Sequence, residues 1–320
     1  MKLKNGNDKI KGRALGRMDF GSRGKNLVVK IFLYALLIGV TYVFLFPFLY
    51  MVVTACKTNA DLNDVTVNWI PNSIKIDNFR MALEALNYGT GLKNTFLQTF
   101  LPTIGHLLSC GMAGYALARY KFKGQKFVFL LVIVSIIIPL QTLIIPSYIL
   151  YSKVGMLNSI WPIVLPCFFG IGLKGGLFVF IFRQFFLGLP KEIEEAAKID
   201  GCSFLGTYFR VVMPMSKSSL LVVSVLSAVW HWNSSYEAGI YISKEGYKPL
   251  ASRISVIVDY VNNPPDSFFE RLSSASSEQV INVAVLMAGC LLILLPLIIG
   301  FAVVQRYFMQ GMERSGLGGD

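Results

Sequence analysis

Glu192-Ile193-Glu194-Glu195-Ala196-Ala197-Lys198-Ile199-Asp200-Gly201 lies between two long apolar runs, residues 159–182 and 218–236. Four of the chain's 18 acidic residues fall within this short segment. Pro190 stands where a helix can start, and Glu192, Glu194 and Glu195 follow at the end where the helix dipole favours negative charge. Glu194 and Lys198 are spaced i,i+4 in the favourable order. Ala196 and Ala197 combine high helix propensity with side chains small enough for close approach by another protein. Gly201 suits a helix C-cap, and a second short helix over 204–212 ends at Pro214. So short a charged helix is marginal alone in water. The segment therefore predicts a helix–turn–helix on a membrane surface that is held by a docking partner; the competing reading is a solvated connector.

The rest of the chain supplies the membrane. Of 320 residues, 54% are hydrophobic and only 15% charged, against about a quarter charged in an ordinary soluble domain. A crossing helix needs about 20 apolar residues, and six runs qualify: 31–54, 94–118, 127–151, 159–182, 218–236 and 280–304. The second is the least apolar, carrying Thr103, His106 and Ser109. With the N-terminus inside, the inner segments hold twenty Lys and Arg and the outer loops nine, which places both termini and the Glu192–Gly201 segment in the cytoplasm. The net charge of +12 is thus accounted for by topology, with no nucleic acid as partner. The expected architecture is an all-α polytopic membrane protein of six transmembrane helices. A basic tail (1–30), whose stretch Lys2–Lys25 is expected to be disordered and set against anionic lipid, precedes a permease domain (31–304). That domain has a cytoplasmic loop at 183–217 and outer loops at 55–93 and 237–279; a short tail (305–320) follows. No cleavable leader is expected. The five scattered cysteines suggest neither a disulfide framework nor a metal site.

Glu195-Ala196-Ala197-Lys198-Ile199-Asp200-Gly201 resembles the E-A-A-x-x-x-G loop of membrane subunits of ATP-binding-cassette importers, in the form found in the carbohydrate-uptake class. Further segments are similar to that family: Phe46-Pro47-Phe48, Trp69-Ile70-Pro71, Ala116-Leu117-Ala118-Arg119-Tyr120-Lys121-Phe122-Lys123-Gly124, Pro139, Gln141 and Pro146, Arg183-Gln184-Phe185-Phe186, Trp232-Asn233, and Gln305-Arg306-Tyr307-Phe308. The pattern is nearest to MalG-like permeases. It departs at Ser218-Ser219, where the family often has proline, at Ser234 after Trp232-Asn233, and in the tail from Gly311 to Asp320. The resemblance implies a bacterial cytoplasmic-membrane subunit paired with a second, MalF-like permease and a cytoplasmic ATPase dimer. An extracytoplasmic solute-binding protein would deliver an oligosaccharide. Glu194, Glu195, Ala196, Ala197, Asp200 and Gly201 would form the coupling helix received by the ATPase. The chain has no G-x-x-x-x-G-K-[ST] phosphate loop, so ATP and Mg would belong to that partner and this chain would be no enzyme and carry no cofactor.

Candidates for the substrate path are fewer. Lys174 is the one basic residue deep in an apolar run, where charge usually faces a cavity or a partner; it could meet hydroxyls or an acidic sugar, or instead snorkel or pair with another subunit. Trp230, His231, Trp232, Asn233 and Tyr236 could stack on and hydrogen-bond a sugar, or form an interfacial aromatic belt. Gln141, between two prolines, could line the path or bond another helix. Gly170-Ile171-Gly172-Leu173-Lys174-Gly175 matches a dinucleotide fingerprint in letters only, lacking the βαβ context; close helix packing or a local break fits better. With no ligand constellation around His106 and His231, a metalloenzyme is not expected, and His106 reads as an interhelical hydrogen-bonder. An ion-coupled secondary transporter predicts acids within the runs, and none is there. Import of a non-sugar solute is the other alternative.

Overall fold

A computed structural model describes residues 20–263 and 281–314. Most of the basic tail, residues 264–280 of the second outer loop and 315–320 lie outside the described residues, as does the question of a tail contact with an ATPase. Among the described residues every regular element is helical. The helices are α1 (Phe20–Ala55), α2 (Asn59–Asn63), α3 (Asp77–Ala85), α4 (Tyr88–Arg119), α5 (Gln125–Ile137), α6 (Leu140–Lys153), α7 (Trp161–Val164), α8 (Gly175–Leu187), α9 (Lys191–Ile199), α10 (Phe204–Thr207), α11 (Met213–Met215), α12 (Lys217–Trp232), α13 (Ser235–Tyr241), α14 (Leu250–Asn262) and α15 (Val283–Arg314). Helix α1 starts at Phe20, so residues 20–25 are helical, where the sequence predicts a disordered tail over Lys2–Lys25. Helix α15 likewise continues past 304 to Arg314. Among the described residues, those up to Tyr50 and those from Met51 onward fall into two units; the first holds most of α1, whose apolar side chains from Val29 to Leu49 are exposed.

The least apolar run becomes the centre of the second unit. Half of the α4 span is buried, and its polar residues are the ones that find partners. Thr103 Oγ1 donates to Ser227 Oγ (3.1 Å), and Ser109 Oγ donates to the Cys167 carbonyl (2.6 Å). Within a membrane, helices associate through close packing and such bonds rather than through the hydrophobic effect. Small residues of α4 allow the approach: a β-carbon on Gly114 would lie 2.7 Å from Phe182 Cβ, and one on Gly111 2.4 Å from Tyr208 Oη. Around them Tyr115, Phe178, Phe182, Phe186, Tyr208 and Val223 form the main buried core, drawn from α4, α8, α12 and the π-turn Tyr208–Val212.

Two of the expected spans are not single helices. Helices α5 and α6 meet at 101°. Ile138 before Pro139 is extended (φ −65°, ψ 121°), because the proline ring disfavours the helical conformation of the preceding residue. The run at 159–182 is broken as well: α7 and a 3₁₀ turn (Leu165–Phe169) give way to a loop in which Gly170, Gly172 and Lys174 all have positive φ, and only then does α8 begin. The chain also turns by 82° between the α10–α11 segment and α12. Among the described residues, three helices are long and apolar enough to cross a membrane, or up to five if each bent pair is one span. Two of the six apolar runs are thus divided, because hydropathy summed over a window registers apolarity but not the proline and left-handed residues that break a helix.

Candidate functional site

The Glu192–Gly201 segment folds as its residues dictate. Pro190 is extended (φ −59°, ψ 132°) and α9 starts directly after it, with Glu192 and Glu194 in the first turn and Lys198 in the last. At its end the Cys202 amide donates to the Ala197 carbonyl and the Gly201 amide to that of Lys198, both at 3.0 Å. These two bonds are a Schellman cap, whose turning residue takes a left-handed conformation. Gly201 supplies it at φ +79°, with nothing within 4 Å of where a β-carbon would sit, so backbone conformation rather than space requires glycine there. After Ser203 caps α10, the π-turn Tyr208–Val212 leads back to the membrane segments.

The six coupling residues divide between two faces. Glu194 and Ala197 are buried; Glu195, Ala196, Asp200 and Gly201 are exposed, alongside Lys198 and Ile199, the latter 86% exposed. Glu194 Oε1 lies 2.7 Å from Arg119 Nε at the end of α4, and Tyr115 Oη donates to Glu194 Oε2 at 3.1 Å. Arg119 Nη2 also donates to the Leu189 carbonyl at 2.6 Å, holding the chain just before α9. Tyr115 is enclosed by Phe186, Phe204 and Tyr208 at centroid distances of 5.3–5.6 Å. Sequence reasoning missed Arg119 and Tyr115. Arg119 stood in a quoted motif but served only as a topological charge, and nothing local connects it to a residue 75 positions later.

Deeper in the fold, a cavity of about 580 Å³ opens between the two helix breaks. Ser135, Ile138 and Leu140 line it from the α5–α6 corner, the Gly170–Gly176 turn from another side, and Tyr151, Glu237 and Tyr241 complete it. Lys174 is one of the lining residues, with its ammonium 5.7 Å from the Trp230 ring centroid. The other path candidates are placed apart. Trp232 is buried, donating Nε1–H to the Ile293 carbonyl at 3.1 Å and meeting Phe96 edge-on. The Asn233 amide turns back to the Val229 carbonyl of its own helix, Tyr236 is exposed, and Gln141 is exposed on α6 outside the cavity lining.

His231 belongs to a buried cluster. The ligand atoms of His106, Cys167 and His231 lie within 4.8 Å of one another, which corrects the expectation that no such constellation surrounds the histidines. Their contacts give the cluster a structural role. His231 Nδ1 lies 2.9 Å from the Ser227 carbonyl and His106 Nε2 3.2 Å from that of Ile171; carbonyls only accept, so these nitrogens carry the protons. The Ser227 hydroxyl lies 3.2 Å from His106 Nδ1, and the Cys167 thiol donates to Ile163 O at 3.2 Å. The cluster clasps the broken 161–174 segment to α4 and α12.

Residues 105–314, which include the cavity and α9, match the family model described as "Binding-protein-dependent transport system inner membrane component". The chain belongs to that family. It is thus a multi-pass permease of the cytoplasmic membrane that works beside a solute-binding protein. The permease is similar to the arabinooligosaccharides transport system permease AraQ of Halalkalibacterium halodurans, 29% identical over 88% of this chain and 93% of that one. It also resembles the melibiose/raffinose/stachyose import permease MelC of Bacillus subtilis (28%, covering 85% and 91%) and the polygalacturonan/rhamnogalacturonan permease YtcP of the same organism (25%, covering 90% and 97%). Its fold matches a chain of a bacterial ABC transporter involved in alginate import, with a TM-score of 0.74, 21% identity, and 92% and 100% coverage.

Proposed function

We propose that this permease is a translocating subunit of an ATP-binding-cassette importer for oligosaccharides, coupled through α9 to a separate ATPase dimer that binds ATP and Mg. The chain itself hydrolyses no ATP. It pairs with a second, MalF-like permease, crosses the membrane six times when the broken runs are counted as crossings, and keeps both termini in the cytoplasm. The observation that carries the coupling role is the division of α9: Glu194 fastens it to α4 while Glu195, Ala196, Ile199 and Asp200 face outward. A partner that pulls on the outward face moves α4, and α4 packs against the broken segments around the cavity. The sugar reading is supported by the relatives' named cargoes. Glu195→Lys and Gly201→Asp test the reading in the complete importer. Membrane insertion is expected to persist while uptake of oligosaccharide is lost; normal uptake in both variants would sink the docking assignment.

A further inference from the structure

The cavity between the two breaks contains an unusual lysine. Lys174 immediately precedes α8, whose 13 residues rise about 20 Å at 1.5 Å per residue. Against a hydrocarbon core about 30 Å thick, an α8 running along the bilayer normal would put the exposed Lys174 side chain at membrane depth. Among the described residues its ammonium forms no ion pair or hydrogen bond, and the group it meets is the Trp230 ring. It also holds φ +64°, a left-handed conformation shared in this turn by Gly170 and Gly172. Glycine would adopt that backbone without strain, so the turn does not require lysine. A strained, charged residue at a cavity wall is explained by what its side chain does there.

A charge at membrane depth without a counter-charge is unfavourable unless a ligand or partner supplies one. The second ionisable wall residue, Glu237, does not supply it: its carboxylate instead accepts the Ser234 hydroxyl at 2.9 Å. The cavity thus offers a cation over an indole at one place and a buried carboxylate at another. Tyr151, packed edge-on against Tyr241 at 5.2 Å, contributes an aromatic wall. The ligand that complements all three carries an anionic group, hydroxyl donors and an apolar ring face. A neutral sugar would satisfy Glu237 and the tyrosines and leave Lys174 uncompensated. We infer that this cavity is a subsite for an acidic oligosaccharide, with Lys174 binding the carboxylate of a uronate unit and Glu237 accepting a hydroxyl. This rests on the oligosaccharide-importer reading and narrows it to one chemical class.

The test is equilibrium dialysis on the complete complex of both permeases and the ATPase, without nucleotide. The probes are trisaccharides of galacturonate, glucuronate and mannuronate, each beside its neutral methyl ester. At least one acid should be retained tenfold or more over its ester. Lys174→Met should lower that retention tenfold or more, and Lys174→Arg should restore most of it, in complexes that elute as wild type on gel filtration. Equal retention of acids and esters, or an unchanged value for Lys174→Met, overturns the inference and leaves the importer reading standing. Retention of neither acids nor esters overturns it together with the oligosaccharide reading.

Discussion

Arg119 Nε and Glu194 Oε1 stand 2.7 Å apart, with 4% and 8% of their side chains exposed. The pair joins the C-terminal end of α4 to the inner face of α9, and Tyr115 and the Leu189 carbonyl take part in the same junction. Glu194 is thereby committed within the chain, while its neighbour Glu195 is free to meet another protein. A displacement of α9 reaches α4 through charge-assisted bonds shielded from water, where they are stronger than at a surface.

Removing one partner leaves the other as an unpaired buried charge. Glu194→Ala and Arg119→Ala are each expected to destabilise the junction by about 3–5 kcal/mol. The double variant Arg119→Ala/Glu194→Ala should be less affected than the sum of the two. Thermal unfolding of the purified complex and the ratio of sugar moved to ATP hydrolysed would be followed together. A Glu194→Ala importer with wild-type melting and ratio contradicts the proposed link.

At Gly201 the constraint is conformational. Gly201→Asn should retain more uptake than Gly201→Val, because asparagine tolerates the left-handed region and a β-branched residue does not. No atom lies near the β-carbon position, so equal uptake by the two variants would show that the cap geometry is unimportant.

Packing separates two kinds of helical glycine. Gly114→Ala places a β-carbon 2.7 Å from Phe182 Cβ and 2.9 Å from the Arg183 amide nitrogen; overpacking of this sort destabilises by about 1–3 kcal/mol. Gly39→Ala in α1 and Gly300→Ala in α15 meet nothing within 4 Å and should be neutral or slightly stabilising, since alanine is favoured over glycine within a helix by about 1 kcal/mol. Differential scanning of the three variants in detergent checks the order.

The histidine cluster should behave as a clasp. His106→Leu strands the Ile171 carbonyl and removes one partner of the Ser227 hydroxyl, which keeps Thr103; a buried group left without a partner costs about 1–3 kcal/mol. Cys167→Ala loses only a weak thiol bond and should melt within a few degrees of wild type. If His106→Leu is as stable as Cys167→Ala, the cluster does not hold the broken segment.

Much of the site was legible from local chemistry. Pro190, the acidic first turn and Gly201 delimit α9 because proline, helix dipole and left-handed glycine act within a few residues of where they stand. The apolar runs identified a membrane protein for a similarly local reason, the length needed to cross a bilayer. Runs 127–151 and 159–182 were less well read: Pro139 and the Gly170–Lys174 turn divide them, and their apolarity conceals the break.

The class of protein and the limits of α9 follow from neighbouring residues alone. Only tertiary structure decided that Glu194 turns inward to Arg119 while the chemically identical Glu195 turns outward. Adjacent helical residues differ by about 100° around the axis, and which direction is inward depends on where α4 packs. The same packing placed Lys174 and Glu237 on one cavity and gathered His106, Cys167 and His231 into one cluster. Those meetings join residues tens of positions apart, beyond the reach of any local signal.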